Sequence, residues 1–427
     1  MSPRGLAARL AALAAWVRRE PHLALPALLG ALALPVLPVY LGLRQFAPVL
    51  AQADPFVYDF SYYYEAAARF AAAPGTLYAD PEYLYPPPSV LAFLPTLLLP
   101  EGWAYVAWDV LLMAAVAVSV VLTWGLYERA TGERVPRGVR AALLLAGLAS
   151  APTFQNLHYG QVNAFVLVLA LFSLWWGVRA PLWAALALCG GFWLKLYPLA
   201  LAPLALAQGR GVRHVGRAAL GFVLGLVALP LVLLPVVPAS LHATFWLERL
   251  PAWSGMTSQG ALNQSIVGVL TRAGLPAEAA LRGLDVPAPE GARLTAAVLG
   301  LLLGGGVLAA ALLRRLPAET AGVLVLALLP ALSALGWEHT YVMALPLVLW
   351  LALAARTRGR GARLFSGAAL LVFMMPRPPH VALVWAVAHV PRPLLDVALA
   401  RFLLVTLLAV GVGVAWAWRR PAAPVAT

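Results

Sequence analysis

The sequence predicts an all-α polytopic membrane protein, a single domain of about twelve crossings with both termini cytoplasmic. Three observations carry this expectation. The chain of 427 residues is 62% hydrophobic and 11% charged, with a mean hydropathy of +0.84, whereas a soluble domain has about 25% charged residues. Apolar runs close to the roughly 20 residues needed for one crossing recur along its length. Arginine clusters punctuate those runs, so each cluster marks a return to the same side.

The formal charge of +13 does not point to nucleic acid, because Lys and Arg form neither a basic face nor an aromatic-interleaved patch. The single cysteine, Cys189, lies inside an apolar run. That leaves no disulfide framework and no thiolate metal site. Ala51-Gln52-Ala53 ahead of Asp54 has the small residues of a cleavage site. The run before it, Leu23 to Phe46, is longer than a signal-peptide core, so the first helix is expected to stay.

Basic clusters at Arg4 to Arg19, Arg129 to Arg140, Arg179, Arg210 to Arg217, Arg314 and Arg315, Arg356 to Arg363, and Arg419 and Arg420 set the register. Residues 1–22 alternate alanine and leucine with arginine at near-helical spacing, which suits a cytoplasmic interfacial helix at an anionic surface. Leu23 to Phe46 goes out and Trp103 to Tyr127 returns. They bracket a first outer loop over residues 47–100, where Phe60 to Phe70 reads as an amphipathic helix. Tyr85-Pro86-Pro87-Pro88 reads as a rigid extended segment, since prolines fix φ and remove donors. Ser89 to Leu99, interrupted by Pro95, is about half a crossing and reads as a juxtamembrane or re-entrant helix.

Ala141 to Leu157 and Ala164 to Val178 form the next pair, around His158 to Asn163. Two short helices then turn about Lys195-Leu196-Tyr197-Pro198. Ala218 to Val237 leads into a long outer loop over residues 238–291, and Leu294 to Leu313 returns. Thr320 to Leu335 and Tyr341 to Ala355 flank Trp337 to Thr340. Leu364 to Met375 and Leu394 to Trp418 flank Pro376 to Pro393.

This register gathers the ionisable and amide side chains on the extracytoplasmic side. Asp54, Asp59, Tyr62 to Glu65, Asp80, Glu82, Tyr83 and Tyr85 fall there, with His158, Gln161, Asn163, Lys195, His242, Glu248, Asn263, Gln264, Glu338, His339 and His380. The opposite loops offer mainly arginine. Ionisable groups at membrane depth are costly and usually face a cavity, which makes Lys195 and His339 candidates. A solvated interfacial lysine and a hydrogen-bonded helix-end histidine are the plain alternatives. Asp59 precedes a helical run, where an aspartate also serves as N-cap, and the two roles are compatible. The sequence has no Walker loop, no dinucleotide fingerprint, no His-Glu-x-x-His site and no Asp-x-Asp pair. Neither a metal nor a cofactor is expected.

Taken in order, several segments resemble glycosyltransferase family 87, a group of polyprenyl-phosphate-sugar-dependent transferases of the GT-C superfamily. They are Asp59 with Tyr62 to Ala68, Leu77-Tyr78, Tyr85-Pro86-Pro87-Pro88, Gly160-Gln161-Val162-Asn163, Lys195-Leu196-Tyr197-Pro198, Asn263-Gln264-Ser265 and Trp337-Glu338-His339. The ordered set is specific where no single motif is. The resemblance implies a GT-C fold with short re-entrant helices on the outer face. It implies an α-1,2-mannosyltransferase type of activity on lipid-anchored glycans, with an acid/base aspartate in the first outer loop matched by Asp59. Thr340 departs from the pattern, standing where relatives often carry a second histidine.

Transfer of a sugar from a polyprenyl phosphate to a hydroxyl needs a base for the acceptor proton and cationic or donor groups for the leaving phosphate. A single displacement inverts the anomeric centre. On this reading Asp59 is the catalytic base, and Lys195 and His339 hold the donor phosphate. Gln161, Asn163, Asn263 and Gln264 bind sugar or acceptor, with Tyr63, Tyr85, His158, Trp337 and Glu338 as further contacts. All fall on one expected face, with the carboxylate set apart from the cations.

The expected partners are membrane lipid, a polyprenyl-phosphate-linked sugar, foremost mannose, and a glycolipid or cell-envelope glycan acceptor at the inner (plasma) membrane. One rival reading is a GT-C enzyme with a protein or lipid A acceptor. Another is a transporter or flippase of a lipid-linked sugar, since short proline-interrupted helices also build transport sites. A flippase needs access from both faces, and the inner face carries few acids or amides.

Overall fold

The computed structural model describes residues 3–37, 39–40, 59–209, 211–273, 275–276, 284–375, 385–386 and 388–418. Asp54, Tyr58 and His380, and the small-residue sequence at 51–53, lie outside them. Apart from one two-stranded sheet, the regular elements among the described residues are helices.

In chain order, α1 (Pro3–Arg19) is the expected N-terminal helix, and α2 (Pro21–Ala33) opens the first apolar run. The amphipathic α3 (Asp59–Ala72) and the long α4 (Glu101–Thr131) follow. α5 (Arg137–Leu148) and α6 (Ala151–Tyr159) divide a run that reads as one crossing in the sequence. Pro152 has no amide for the preceding turn and its ring would strike the carbonyl four residues back. The helix therefore stops, and Ser150 restarts it by accepting from the Thr153 amide at 3.3 Å.

α7 (Asn163–Trp176), α8 (Pro181–Leu194) and α9 (Val212–Leu233) come next. β1 (Met256–Ser258), α10 (Ile266–Ala273) and β2 (Asp285–Pro287) lie in the long loop over residues 238–291, the strands pairing antiparallel with Thr257 opposite Val286. α11 (Glu290–Leu312), α12 (Ala318–Leu332), α13 (Leu345–Ala355) and α14 (Arg360–Met374) precede the broken pair α15 (Arg392–Leu399) and α16 (Arg401–Trp418). The expected run Leu394 to Trp418 is thus bent, by 67°. At the bend the Phe402 amide leaves the helical ladder and donates to Gln264 Oε1 at 2.9 Å.

Among the described residues three helices, α4, α9 and α11, are long and apolar enough to cross a membrane, or four if the bent pair counts as one. Helix length therefore gives fewer crossings than the sequence register of about twelve, because hydropathy runs continue through backbone breaks that end a helix. Helices of 14 or 15 residues such as α7, α8 and α12 rise only about 21–23 Å, against a hydrocarbon core of about 30 Å. Large apolar side chains stand exposed on the long helices, among them Val232 on α9 and Leu301 on α11, each 75% exposed, as lipid contact requires.

α8 packs on α7 and α9, α4 on α7, α2 on α5 and α14, and α12 on α16. Close helix approach rests on small residues. At Gly221 an added Cβ would lie 2.6 Å from the Leu182 carbonyl oxygen across the α8–α9 contact. The expected half-crossing after the proline run is a chain of short turns, 3-10 at Pro87–Ser89, helical at Val90–Phe93 and 3-10 at Leu94–Leu98. Pro86 alone is extended, at φ −55° and ψ 146°, while Pro87 and Pro88 start the 3-10 turn. A fixed φ near −65° suits the first turn of a helix as well as an extended segment.

Candidate active site

Separate chain segments converge on a cavity of about 530 Å³. The start of α3 supplies Asp59 and Tyr63, the turn before the prolines supplies Glu82 and Tyr85, and the α6–α7 turn supplies Tyr159 and Gln161. Lys195 comes from the end of α8, and Trp337, Glu338, His339 and Thr340 from the 3-10 turn Glu338–Met343 and its cap.

At its centre Gln161 binds the aspartate and the lysine together. Its Nε2 donates to Asp59 Oδ2, and its Oε1 accepts from Lys195 Nζ at 3.0 Å. Tyr63 and Tyr85 hydroxyls also reach Gln161 Oε1, each at 3.4 Å, and lie 2.5 Å apart. The expectation that the carboxylate stands apart from the cations is therefore corrected. One carboxamide, with a donor at one end and an acceptor at the other, couples them. Asp59 is also the first residue of α3, with its carboxylate turned to Gln161.

Loss of hydration raises the Asp59 carboxyl to about 6, against the pull of Lys195 and with a push from Glu82. The same burial lowers the Lys195 ammonium to about 8, with Asp59 opposing. Both groups sit where a modest change of surroundings moves a proton near neutral pH. Burial takes His339 well below the usual imidazole range, and the Lys195 charge adds to it. His339 is thus a neutral hydrogen-bonding group beside a cation.

The aromatic wall is rigid. Tyr63 stacks on Phe93 at 4.5 Å and meets Tyr85 edge-on at 5.0 Å. Tyr78 Oη donates to the Tyr85 carbonyl at 2.7 Å, and Ser89 Oγ to that of Pro86 at 2.6 Å. Lys195 Nζ lies 5.7 Å from the centre of the Tyr85 ring. Such packing holds side chains in the geometry that catalysis needs.

Gly160 places Gln161. It ends α6 at φ +67°, and an added Cβ would lie 2.6 Å from Phe60 Cβ and 2.7 Å from Tyr105 Cε2. Trp108 Nε1 donates to its carbonyl at 2.7 Å. Gly160→Ala is expected to destabilise the protein by about 2 kcal/mol or more, from left-handed strain plus overpacking, and to lower activity. Thermal unfolding and transfer rate on one preparation check this; an alanine variant with both unchanged removes the positioning role.

Four candidates lie outside the cavity lining. His158 faces Tyr40, with Nδ1 3.0 Å from its hydroxyl. Asn163 is fully buried and accepts from Tyr197 Oη at 2.8 Å. Asn263 ties the loop over residues 238–291 to the turn before Trp337, donating to Thr257 Oγ1 at 3.0 Å and accepting from the Gly336 amide at 2.9 Å. Gln264 donates to Glu338 Oε1 at 2.9 Å and accepts from the Phe402 amide. Asn263 and Gln264 use both ends of their carboxamides within the protein, Asn163 uses its oxygen while its Nδ2 has no partner among the described residues, and none of the four lines the cavity. Glu338 lines the cavity, and its Oε1 also meets Arg401 at 3.3 Å. Thr340 Oγ1 donates to the Trp337 carbonyl at 2.5 Å.

Gln155 was missed by the sequence reading. It lines the cavity and is 5% exposed, and its Oε1 has no hydrogen-bond partner among the described residues. One turn of α6 separates it from Tyr159, whose ring lies 5.8 Å from His339. The helical spacing of 155 and 159 was the available signal, hidden because the run read as a membrane crossing. Trp253 and Asp285 also line the cavity, brought there by the folded loop over residues 238–291.

The sequence model of glycosyltransferase family 87 matches residues 83–335, which include Tyr85, Gln161 and Lys195; Asp59 and His339 flank the stretch. A polyprenol-phosphate-mannose-dependent alpha-(1-2)-phosphatidylinositol pentamannoside mannosyltransferase from Mycobacterium tuberculosis (strain CDC 1551 / Oshkosh) is 28% identical over 335 residues. That match covers 74% of this chain and 71% of the relative. No solved structure matches. With the family match spanning more than half of the chain, this membrane protein belongs to glycosyltransferase family 87 and is a glycosyltransferase.

Proposed function

We propose that the enzyme moves a sugar, mannose, from a polyprenyl-phosphate donor to a hydroxyl of a lipid-linked or cell-envelope glycan. The reaction takes place on the extracytoplasmic face and inverts the anomeric centre. The observation that carries this reading is the Asp59–Gln161–Lys195 array on one cavity wall. The mycobacterial relative is a polyprenol-phosphate-mannose-dependent enzyme, which supports the donor. The separation of the arginine clusters from this cavity supports the sidedness, by the positive-inside rule.

In this mechanism the Asp59 carboxylate takes the acceptor hydroxyl proton as that oxygen attacks the anomeric carbon. The new carbon–oxygen bond forms while the bond to the phosphate oxygen breaks, and its electron pair leaves with the phosphate. Lys195 balances the charge gained there, and neutral His339 adds a hydrogen bond. Gln161 holds base and cation in register. The unpartnered Gln155 Oε1 accepts from a sugar or acceptor hydroxyl.

Membranes carrying the protein, given radiolabelled polyprenyl-phosphate mannose, are expected to transfer label to a glycolipid fraction, and to transfer none from a nucleotide-linked mannose. Label taken from the nucleotide sugar alone would exclude the donor assignment. Label that crosses proteoliposomes still attached to its polyprenyl phosphate would point to transport instead.

A further inference from the structure

A second cavity, of about 680 Å³, lies at the opposite end of the helices that build the active site. α12 connects the two. Leu329 and Pro330 line the first cavity, while Ala318 to Thr320 at its start line the second; the step from Ala318 to Pro330 is about 18 Å of helical rise. α13 runs back the other way, from Met343 just ahead of it at the first cavity to Ala354 at the second.

Arg129, Arg314, Arg315 and Arg358 line this cavity, and Glu319 is the one carboxylate among the described lining residues. The four cations are not equivalent. Arg129 is occupied, with Nε on Glu319 at 2.8 Å and its other nitrogens on the carbonyls of Trp175 and Leu174. Arg358 lies over the Trp416 ring at 4.4 Å and donates to the Ala354 carbonyl at 2.7 Å. Arg314 and Arg315 are exposed, and their side chains have no hydrogen bond or ion pair among the described residues.

The backbone fixes those two cations at the rim. α11 ends in a tight turn in which the amides of Arg315 and Leu316 both donate to the Ala310 carbonyl, at 2.7 and 3.2 Å. Arg314 adopts φ +58° there, at a helix end that usually takes glycine or asparagine. Among the described residues it is the only non-glycine residue with positive φ. Leu324, Leu347 and Leu351 also line the cavity and give it an apolar wall.

The geometry points to a site for the phosphate of an anionic membrane lipid. Arg314 and Arg315 hold the head group and the leucine wall takes the upper part of an acyl chain. Guanidinium forks match phosphate oxygens in pairs, and basic pockets between membrane helices suit anionic lipid head groups. A zwitterionic lipid carries its own cation and gains little from a second. Inorganic phosphate matches the arginines and leaves the wall unused. This site is separate from the donor and acceptor cavity and does not rest on the function proposed above.

The test follows thermal unfolding of the purified full-length protein in detergent with phosphatidylglycerol, phosphatidylcholine or inorganic phosphate. Phosphatidylglycerol is expected to raise Tm by about 3–5 °C, and the other two to leave it unchanged. R314Q/R315Q is expected to lose that shift, and R314K/R315K to keep most of it. An equal shift with inorganic phosphate would assign the cavity to a free anion and overturn the lipid. A shift equal for phosphatidylcholine, absent for phosphatidylglycerol, or retained in R314Q/R315Q overturns the site. R315Q alone, which leaves the turn at Arg314 intact, is read the same way if the double variant does not fold.

Discussion

Asp59→Asn is expected to lower transfer from polyprenyl-phosphate mannose by 10²- to 10⁴-fold, the usual contribution of a positioned general base. The substitution keeps the size of the side chain at the start of α3 and still offers Gln161 an acceptor oxygen, so the wall around it stays in place. It removes only the capacity to accept a proton. Folding gains slightly if it changes at all, because burial already disfavours the charged form of Asp59. Initial rates on membranes with matched amounts of folded protein measure the effect. Full activity in the asparagine variant would remove Asp59 from the base role and turn attention to Glu82, the other carboxylate on its side of the cavity.

Replacing Lys195 by Met is expected to cost 10²- to 10³-fold in kcat, the scale of one lost donor to a developing negative charge. A second readout separates this from a loss of shape. In the wild type kcat/KM is expected to fall below pH about 6 as Asp59 takes up a proton, and above about 8 as Lys195 gives one up. The lysine charge lowers the Asp59 pKa. Without it that pKa rises, so the acidic limb of Lys195→Met moves to higher pH and the alkaline limb disappears. A variant that is slow yet keeps both limbs in place would mean that Lys195 acts through packing alone.

Gln161 joins these two titrating groups, and that role is not written in the sequence. Its type and its place in Gly160-Gln161-Val162-Asn163 made it a candidate for a sugar hydroxyl. Its bridging of Asp59 and Lys195 depends on the left-handed turn at Gly160 and on the end of α8, two features brought together by packing. Asn163, Asn263 and Gln264 had the same standing in the sequence. Their neighbours in space, Tyr197, Gly336 and Phe402, occupy their side-chain oxygens inside the fold, with Asn163 Nδ2 left without a partner among the described residues. Residue type reports what a side chain can bind, and only its surroundings decide whether that capacity is already taken.

Composition and arginine spacing were enough for an all-α membrane protein, because the cost of charge and of unsatisfied backbone in lipid leaves few other solutions. The ordered motifs were enough for the family and for Asp59, Lys195 and His339 around one cavity. Helix ends were not legible in the same way. Pro152 divides a run that hydropathy counts as one crossing, and another bends between Leu399 and Arg401, where Gln264 accepts from the Phe402 amide. Hydropathy is a property of stretches of residues and survives such breaks. Hydrogen-bond partners distant in sequence do not show in it, so the tertiary structure alone decided where helices stop, which amides face the cavity and how the aspartate and lysine are joined.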